Sequence, residues 1–385
     1  MNVLLIGNGA REHALAEALL RSSHSPALFA YMKSKNPGIA ALAERVKIGS
    51  YSDLPAIRDW AKAGSVAFAV IGPEDPLQNG VVDVLGELGI PSVGPTKNLA
   101  RLETSKTFTR NLLAKYGIPG NPLFGNFSSA AGIEAFLDTM EDIVIKPDGL
   151  TGGKGVMVQG DHFSTRREAL DICRSILSEH AWVTIEEKME GEEYSLQCLT
   201  DGKTVVATPP VQDHKRRFND DKGPNTGGMG SYSCADHSLP FLEPKDIEAG
   251  LAITQQVAEA VYRETGRRYR GVMYGGFMIT KQGVRLLEYN ARFGDPEAMN
   301  ILPLLKTDFI DLCQAIMEGS LDRIKIEFAA QATVCKYIVP QEYGLPQGGH
   351  DAPVREEKIE IGPLSGAKLY YSSVDSREDG LYMTA

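Results

Sequence analysis

Short apolar runs alternate with longer amphipathic stretches over residues 1–95. Residues 3–6 and 66–71 have the length and composition of buried strands, and residues 14–20 and 81–88 follow them as predicted helices. Short apolar strands that alternate with helices are typical of a parallel sheet built from βαβ units. We therefore predict an α/β fold with an N-terminal parallel-sheet domain over residues 1–100.

A helix and a break mark the start of a second unit. The helix is predicted from about Ser105, because Thr104 or Ser105 can cap it and because Gly117 and Pro119 end it. Residues 120–122 read Gly-Asn-Pro, which predicts a hinge after the helix.

Beyond this hinge, short β runs predominate. Helices are predicted at about 166–178 and 245–264, and a Lys-Gln-Gly turn at 281–283 joins two strands. Residues 209–235 are polar, rich in glycine and without periodicity, so we predict a long functional loop there. The other predicted strands lie at residues 143–146, 155–158, 183–186, 194–199, 205–208, 332–339 and 368–374.

Composition narrows the function classes. The chain has 385 residues, 43% of them hydrophobic, and a formal net charge of -10. An acidic excess disfavours nucleic-acid binding, and the chain lacks the run of about 18 apolar residues that a membrane span requires. The five cysteines are far apart, which argues against a disulfide framework or a zinc site. We expect reduced thiols, a first strand rather than a signal peptide, and a cytoplasmic location.

The first glycine-rich segment, residues 7–13, reads Gly-Asn-Gly-Ala-Arg-Glu-His and lies between a predicted strand and a predicted helix. Its backbone amides are expected to bind an anion. A dinucleotide-binding loop would have a third glycine where Glu12 stands, and an acid where Lys33 and its neighbours stand. A phosphorylated substrate, assisted by Arg11, fits better than a nicotinamide cofactor. A plain tight turn is the remaining alternative.

The second glycine-rich segment, residues 146–156, combines two lysines with four glycines. Glycines let the backbone approach phosphate oxygens, and the ammonium groups of Lys146 and Lys154 offset triphosphate charge. The segment lacks the spacing of a Walker-type loop, and a strand rather than a helix follows it. We therefore predict a different kind of phosphate-binding loop, with a flexible β-turn as the alternative.

An acidic turn at residues 186–193 follows a predicted strand. Such a turn is a solvated bend unless its backbone groups meet an adenine and one of its carboxylates meets ribose hydroxyls. Both interpretations remain open from the residues alone.

The strongest metal candidate is the strand predicted at residues 286–292. A period of two places Glu288, Asn290 and Arg292 on one face, and Leu287, Tyr289 and Ala291 on the other. A carboxylate beside an amide oxygen suits Mg²⁺, and Arg292 can bind an anion with two hydrogen bonds. An edge strand with a polar outer face is the alternative.

Taken in order, these segments resemble the phosphoribosylamine–glycine ligase family of the ATP-grasp superfamily. The resemblance covers nearly the whole chain and rests on residues 7–13, 72–77, 146–156, 212–216, 223–230 and 290–297. It implies a two-part ATP-grasp α+β fold over residues 101–320, with a mobile subdomain at about 120–195. It also implies a small, mostly-β C-terminal domain over residues 321–385.

The resemblance implies an ATP-dependent ligation of glycine to phosphoribosylamine through glycyl phosphate, with ATP and Mg²⁺ or Mn²⁺. It implies catalytic roles for Arg292, Lys154 and Asp213 and a metal site at Glu288 and Asn290. The implied ATP-binding residues are Lys106, Lys146, Gly152, Gly153, Lys154, Gly155, Glu186, Glu187, Met189 and Glu193. The implied substrate-binding residues are Gly7, Asn8, Gly9, Arg11, Glu12, Gly72, Pro73, Glu74, Asp213, His214, Lys215, Asn225, Thr226, Gly227, Gly228, Arg292 and Asp295.

Two departures from the family pattern concern the metal site and the end of the chain. Gly276 stands where related enzymes often have an acidic or amide metal ligand, and relatives usually continue beyond Ala385, so a truncated C-terminal domain is one interpretation. We expect small-molecule substrates, no nucleic acid, no membrane, and a monomer or small homo-oligomer. The alternatives are an ATP-grasp ligase that uses formate or bicarbonate, a nicotinamide oxidoreductase, and a non-catalytic nucleotide-binding regulator.

Overall fold

The computed structural model describes residues 1–150, 155–220, 222–341, 343–344 and 356–384. The N-terminal part is a five-stranded parallel sheet in the order β3-β2-β1-β4-β5. Its elements are β1 (Asn2–Ile6), α1 (Ala10–Leu20), β2 (Ala27–Met32), α2 (Pro37–Leu42), β3 (Arg45–Ile48), α3 (Leu54–Ala63), β4 (Phe68–Ile71), α4 (Glu74–Asn79), α5 (Val81–Glu87) and β5 (Ser92–Val93).

The predicted parallel sheet is confirmed, and its central strand is buried on both faces. Val3, Leu4, Leu5 and Ile6 are all fully buried, as expected for a strand covered by helices on both sides. Because β1 and β4 are neighbours, the turns that follow them, at Gly7 and Gly72, lie side by side at the carboxyl edge of the sheet. Open α/β sheets bind ligands at this edge.

A small antiparallel sheet follows, in the order β6-β9-β7-β8. Ser105 caps the preceding helix by accepting a hydrogen bond from the amide of Phe108, as predicted. Residues between Ile133 and Ile185 form a hydrophobic core separate from the rest of the protein. The elements are α6 (Arg101–Thr104), α7 (Lys106–Lys115), β6 (Phe124–Phe127), α8 (Ile133–Leu137), β7 (Ile143–Pro147), β8 (Met157–Val158), α9 (Arg166–Glu179) and β9 (Val183–Glu187).

A second antiparallel sheet, in the order β11-β10-β14-β15, packs against the long helix α10. Along the chain, a hairpin of β12 and β13 lies between β11 and α10. The elements are β10 (Glu192–Thr200), β11 (Val205–Ala207), β12 (Gln212–Phe218), β13 (Lys222–Ser233), α10 (Pro244–Thr265), β14 (Gly271–Thr280) and β15 (Gly283–Asn290).

The hairpin corrects the prediction of a long loop at residues 209–235. Backbone hydrogen bonds hold the two strands, so no alternation of apolar side chains is needed. Most of the hairpin's side chains are half-buried or exposed, because the hairpin borders a cleft rather than a core. Its polar and glycine-rich sequence therefore gave no strand signal.

The remainder of the described chain packs mainly on the N-terminal sheet. Residues 332–339 contain the predicted strand, but residues 368–373 form none, and the strand near them starts only at Val374. None of the helices in the described part of the chain combines the length and the apolar character that crossing a lipid bilayer requires. The elements are α11 (Glu297–Ile301), α12 (Phe309–Glu318), β16 (Thr333–Lys336), β17 (Lys358–Ile359), β18 (Val374–Arg377) and β19 (Gly380–Met383), with 3₁₀ turns at Leu302–Leu304 and Leu321–Arg323.

Candidate active site

Lys146 lies at the end of β7, where its side chain is held by a buried carboxylate. Its Nζ donates to Oε2 of Glu186 at 2.8 Å. Arg110 contacts the same carboxylate through two hydrogen bonds, of 2.7 Å from Nε and 2.9 Å from Nη2. Burial alone would raise the pKa of Glu186, but Arg110 and Lys146 outweigh burial and lower this pKa to about 2. Glu186 therefore holds two cations in place.

Lys106 lies beside Lys146 at the start of α7. Its Nζ donates to the carbonyl oxygen of Gly149 at 2.8 Å, within the predicted phosphate loop. The loop is anchored by Asp148, whose carboxylate accepts from the hydroxyl of Ser105 and the amide of Thr107. Burial lowers the pKa of Lys106, although nearby Glu288 acts in the opposite direction. Two lysines thus lie together where β7 leads into the glycine-rich loop.

Glu288 lies on β15 near these lysines and is accessible to solvent. The protein around the carboxylate removes part of its hydration, which would raise its pKa, but the cations of Lys215, Lys146 and Lys106 outweigh this effect and lower the pKa. The residue directly opposite Glu288 on β14 is Gly276, so no side chain contributes a ligand from that position. Carboxylate and amide oxygens at Glu288 and Asn290 are the ligand types that Mg²⁺ binds.

A β-bulge modifies the predicted alternation in β15. Gly276 pairs with Glu288, but the next residue, Phe277, pairs with Leu286, so Leu287 is the extra residue. Leu286 is consequently fully buried and Leu287 only partly so, whereas the pattern placed Leu287 in the core. Tyr289 and Ala291 are buried as predicted.

The side chains of the acidic turn after β9 point into different surroundings. Glu186 is buried, and Glu187 pairs with Arg285 and accepts from the amide of Leu123. Met189 is half-buried. Glu193 is exposed, with its Oε2 3.6 Å from Nζ of Lys215.

The hairpin brings Asp213 and Lys215 to the cleft. Burial would lower the pKa of Lys215, but Glu193 and Glu288 raise it. One carboxylate oxygen of Asp213, Oδ1, is buried and lacks a hydrogen-bond partner among the described residues. Burial and the nearby carboxylate of Glu297 raise the pKa of Asp213 well above its ordinary value.

The other predicted hairpin residues lie at different depths. His214 is exposed and stacks on Tyr232, and Asn225 and Gly227 are also exposed. The hydroxyl of Thr226 donates to the carbonyl oxygen of Lys215. Gly228 is buried with φ of +136°, and a Cβ there would lie 2.9 Å from Pro296, so only glycine fits at this contact.

The turn at residues 291–297 carries Arg292 into the same region. Nε of Arg292 donates to Oε2 of Glu74 at 3.1 Å, and Nη2 lies 3.0 Å from Oε1 of Glu103. Asp295 accepts a hydrogen bond from Tyr337, and Tyr274 donates to Glu297.

The Gly7–His13 turn differs from the prediction at the backbone amide of Gly9. The amide of Gly9 donates to Oε2 of Glu12 at 2.6 Å, so the protein's own carboxylate occupies this amide, and the expectation of a free amide is wrong there. A Cβ on Gly7 or Gly72 would lie 2.3 Å from Cγ of Glu12, so both glycines make room for this side chain. Arg11 donates to Glu12 and to the carbonyl oxygen of Phe293.

Asn8 and Pro73 complete this edge. Asn8 accepts from the hydroxyl of Tyr51 and donates to that of Ser34. Pro73 precedes α4 and is half-buried beside Glu12. The predicted residues of this turn and of the 72–74 turn therefore do lie together.

Three predicted ATP-binding residues, Gly152, Gly153 and Lys154, lie outside the described residues, and Gly155 is the first described residue after them. The sequence reasoning missed Arg110, Glu103 and Tyr274, and it included Glu297 only as part of the 290–297 segment, without a role of its own. Each is a buried polar side chain whose partner is at least 23 positions away in the chain, so no local pattern indicates it.

Comparisons with known proteins assign the chain to a family. Residues 1–103 match the model of the phosphoribosylglycinamide synthetase N domain, and residues 104–298 match that of the phosphoribosylglycinamide synthetase ATP-grasp (A) domain. A phosphoribosylamine–glycine ligase of Methanocella arvoryzae is 47% identical over 385 residues, covering 100% of this chain and 87% of that protein. One from Methanocaldococcus jannaschii is 46% identical over 393 residues, with the same coverage.

Solved structures agree in fold. The crystal structure of a phosphoribosylamine–glycine ligase from Thermotoga maritima has a TM-score of 0.80 at 27% identity, covering 100% of this chain and 90% of that one. An N5-carboxyaminoimidazole synthetase from Staphylococcus aureus, with a TM-score of 0.62 at 12% identity over 86% of this chain and 79% of that one, shares the fold alone. The chain therefore belongs to the phosphoribosylamine–glycine ligase family of ATP-grasp proteins.

Proposed function

We propose that this protein joins glycine to 5-phosphoribosylamine and cleaves ATP to ADP and phosphate. The product is glycinamide ribonucleotide, an intermediate of purine biosynthesis. One observation carries the proposal: Lys106, Lys146, Lys215 and Arg292 surround the carboxylate of Glu288 in a chain that matches ligases of this name over its whole length. A cationic cleft with an accessible carboxylate among its lysines suits a nucleotide triphosphate and its metal ion.

The phosphates of ATP are assigned to the lysines of the cleft. Lys106 and Lys146 are held by Gly149 and Glu186, so their ammonium groups are positioned before ATP binds. Preorganised cations stabilise the charge of a transferring phosphoryl group without reorganisation during the reaction. Further phosphate contacts are assigned to the remaining members of the predicted loop, which are Gly152, Gly153, Lys154 and Gly155.

A Mg²⁺ ion is assigned to Glu288 and Asn290, with Mn²⁺ as a substitute. The two side chains provide only oxygen ligands, and the lysines lower the pKa of Glu288, so its carboxylate is ionised at neutral pH. When bound, the ion neutralises phosphate charge. Because Gly276 provides no third protein ligand, an ion held by Glu288 and Asn290 would take its other ligands from phosphate and water.

Adenine and ribose are assigned to the turn between β9 and β10. The side chains of Glu186 and Glu187 are engaged in ion pairs, so these residues contact adenine through their backbone, together with Met189. Glu193 is exposed and only loosely paired with Lys215, which leaves its carboxylate able to accept hydrogen bonds from ribose hydroxyls.

Phosphoribosylamine is assigned to the carboxyl edge of the parallel sheet, which comprises Gly7, Asn8, Gly9, Arg11, Glu12, Gly72, Pro73 and Glu74. Glu12 caps the amide of Gly9, so the sugar phosphate has to use other donors of this edge or displace the carboxylate. Arg292 and Asp295 border the edge from the ATP-grasp part, since Glu74 contacts Arg292. This arrangement supports a shared site for both substrates.

Glycine is assigned to the region between the hairpin and the 291–297 turn. Asp213 and Lys215 face this region, and Gly228 packs against Pro296 across it. His214, Asn225, Thr226 and Gly227 belong to the same hairpin and are assigned to its substrate-facing edge.

The chemistry is carboxylate activation. A carboxylate oxygen of glycine attacks the γ-phosphorus of ATP, and ADP leaves with the electron pair of the broken P–O bond. The amine of phosphoribosylamine attacks the acyl carbon of glycyl phosphate, the C–O bond breaks, and phosphate leaves with that oxygen. Asp213 accepts the proton that the amine loses, whereas Arg292 and Lys154 balance phosphoryl charge.

The domain organisation is part of the proposal. We assign residues 1–100 to phosphoribosylamine binding, residues 101–320 to the ATP-grasp part and residues 321–385 to the C-terminal domain. The separate core between Ile133 and Ile185 supports movement of residues 120–195 as a unit that closes over ATP.

The experiment is a substrate comparison. Phosphate release from ATP is measured with phosphoribosylamine and, in turn, glycine, formate or bicarbonate. Release that requires glycine supports the proposal. Release with formate or bicarbonate in its place assigns the chain to a different ligase reaction.

A further inference from the structure

Arg292 is held between two carboxylates that come from different parts of the fold. Glu103, from α6, lies 3.0 Å from Nη2, and Glu74, from α4, accepts from Nε at 3.1 Å. The side chain of Glu103 is only 6% exposed, compared with 32% for Glu74. Glu103 is therefore the partner that solvent screens least.

Glu103 contacts both the guanidinium of Arg292 and the backbone of the residue that precedes it. While Oε1 lies near Nη2 of Arg292, Oε2 accepts a hydrogen bond from the amide of Ala291 at 2.8 Å. One rigid carboxylate thus fixes the chain just before Arg292 and the orientation of the planar guanidinium. The neighbouring residue Leu102 is buried in the core, which anchors this short helix.

A buried carboxylate that serves stability alone is costly to desolvate, and apolar residues often replace such pairs without loss. The burial of Glu103 is better explained by orientation of its partner. One hydrogen bond to Glu74 and a close ion pair with Glu103 leave the planar guanidinium few orientations. Nη1 also donates to the carbonyl oxygen of Phe293 at 3.3 Å, and the N–H groups that remain on Nη1 and Nη2 are available to a ligand in the cleft.

We propose that Glu103 is a positioning residue, which orients the guanidinium of Arg292 towards the transferring phosphoryl group. This inference rests on the proposed function of Arg292. Glu103 acts through Arg292, so its loss lowers the turnover number and leaves nucleotide binding unchanged.

The first test is Glu103→Gln, which keeps an acceptor for the amide of Ala291 and removes the negative charge. We expect kcat for phosphate release to fall about 10- to 100-fold, as small displacements of a positioned group do, with KM for ATP unchanged. The matched control is Glu264→Gln, which removes a carboxylate of the surface pair with Lys115 and leaves kcat unchanged. If the Gln variant does not fold, Glu103→Asp, which retracts the carboxylate by one methylene, replaces it.

A double-mutant cycle with Arg292→Ala separates positioning from a merely structural role. If Glu103 acts through Arg292, the Glu103 substitution lowers kcat in the wild-type background and has no further effect in the Arg292→Ala background. An equal decrease in both backgrounds, or an unchanged kcat in the Glu103 variant, overturns the inference. A wild-type rate in Arg292→Ala alone overturns the proposed role of Arg292, and with it this inference.

Discussion

Lys146 donates a 2.8 Å hydrogen bond to Glu186, a carboxylate that is only 2% exposed and also bound by Arg110. Lys146 therefore has a structural role in addition to the role in binding ATP that we propose for it. Arg110 remains to balance Glu186 when the lysine is removed. Activity and stability can thus be separated by substitutions at these positions.

Lys146→Ala is expected to lower kcat about 10²- to 10³-fold while the protein remains folded, because one preorganised cation is lost from the phosphate site. Phosphate release and thermal unfolding are measured together. Lys115→Ala, which removes an exposed lysine paired with Glu264, is the control and keeps full activity. A Lys146 variant with the wild-type rate would show that this strand end does not bind phosphate.

Glu186 is expected to make stability depend on pH. Its pKa is lowered to about 2 in the folded protein, so its contribution is present above the ordinary value near 4.5 and is lost as the pH falls towards 2. Glu186→Gln should lower the free energy of unfolding by about 3–5 kcal/mol at pH 7, since it leaves two buried cations short of a partner. Urea unfolding at pH 7 and pH 3 should give a smaller difference at pH 3. An equal difference at both pH values contradicts the assignment.

Glu288→Gln is expected to raise the Mg²⁺ concentration that gives half-maximal activity by at least about tenfold, because the site loses the charge of its one protein carboxylate. The measurement is a Mg²⁺ titration of phosphate release at saturating ATP. Glu318→Gln, a change on an exposed part of α12, is the control. An unchanged titration rules out Glu288 as a ligand.

Asp213 is expected to impose a pH dependence on the rate. Burial and Glu297 raise its pKa, so the carboxyl is protonated at low pH and becomes able to accept a proton as the pH rises. The value of kcat/KM for glycine should therefore increase with pH through neutrality. Asp213→Asn should lower kcat/KM and abolish this increase, whereas Asp322→Asn, at an exposed position, should keep the wild-type profile. A profile with the same rise in the Asn variant contradicts the proposed role.

The N-terminal sheet was predictable from its central strands, because residues 3–6 and β4 are apolar throughout. The edge strand β3, which exposes Arg45 and Lys47, has no such pattern. The same pattern located the turns at Gly7 and Gly72, since each follows a strand directly. The sequence showed that Glu12 stands where a dinucleotide-binding loop would have its third glycine. Its use as a cap for the amide of Gly9 was not, because that depends on how the side chain folds back.

The hairpin and the buried ion pairs were not predictable in this way. The β12–β13 hairpin has no apolar alternation because it faces a cleft. Buried Arg110 forms an ion pair with Glu186, which lies 76 positions further along the chain. The residues of the Glu103–Arg292 ion pair are separated by still more of the chain. From sequence alone, a charged residue on a helix is predicted to be exposed to solvent. Its burial is explained only when the distant partner is known.

The central claim is that the carboxylate of glycine becomes an acyl phosphate. It is tested most directly with glycine that carries ¹⁸O at both carboxylate oxygens, by mass spectrometry of the phosphate released in the presence of ATP and phosphoribosylamine. The account predicts that each phosphate acquires one ¹⁸O atom, because the C–O bond of glycyl phosphate breaks when the amine attacks. Phosphate without ¹⁸O, or phosphate released equally without glycine, would contradict it.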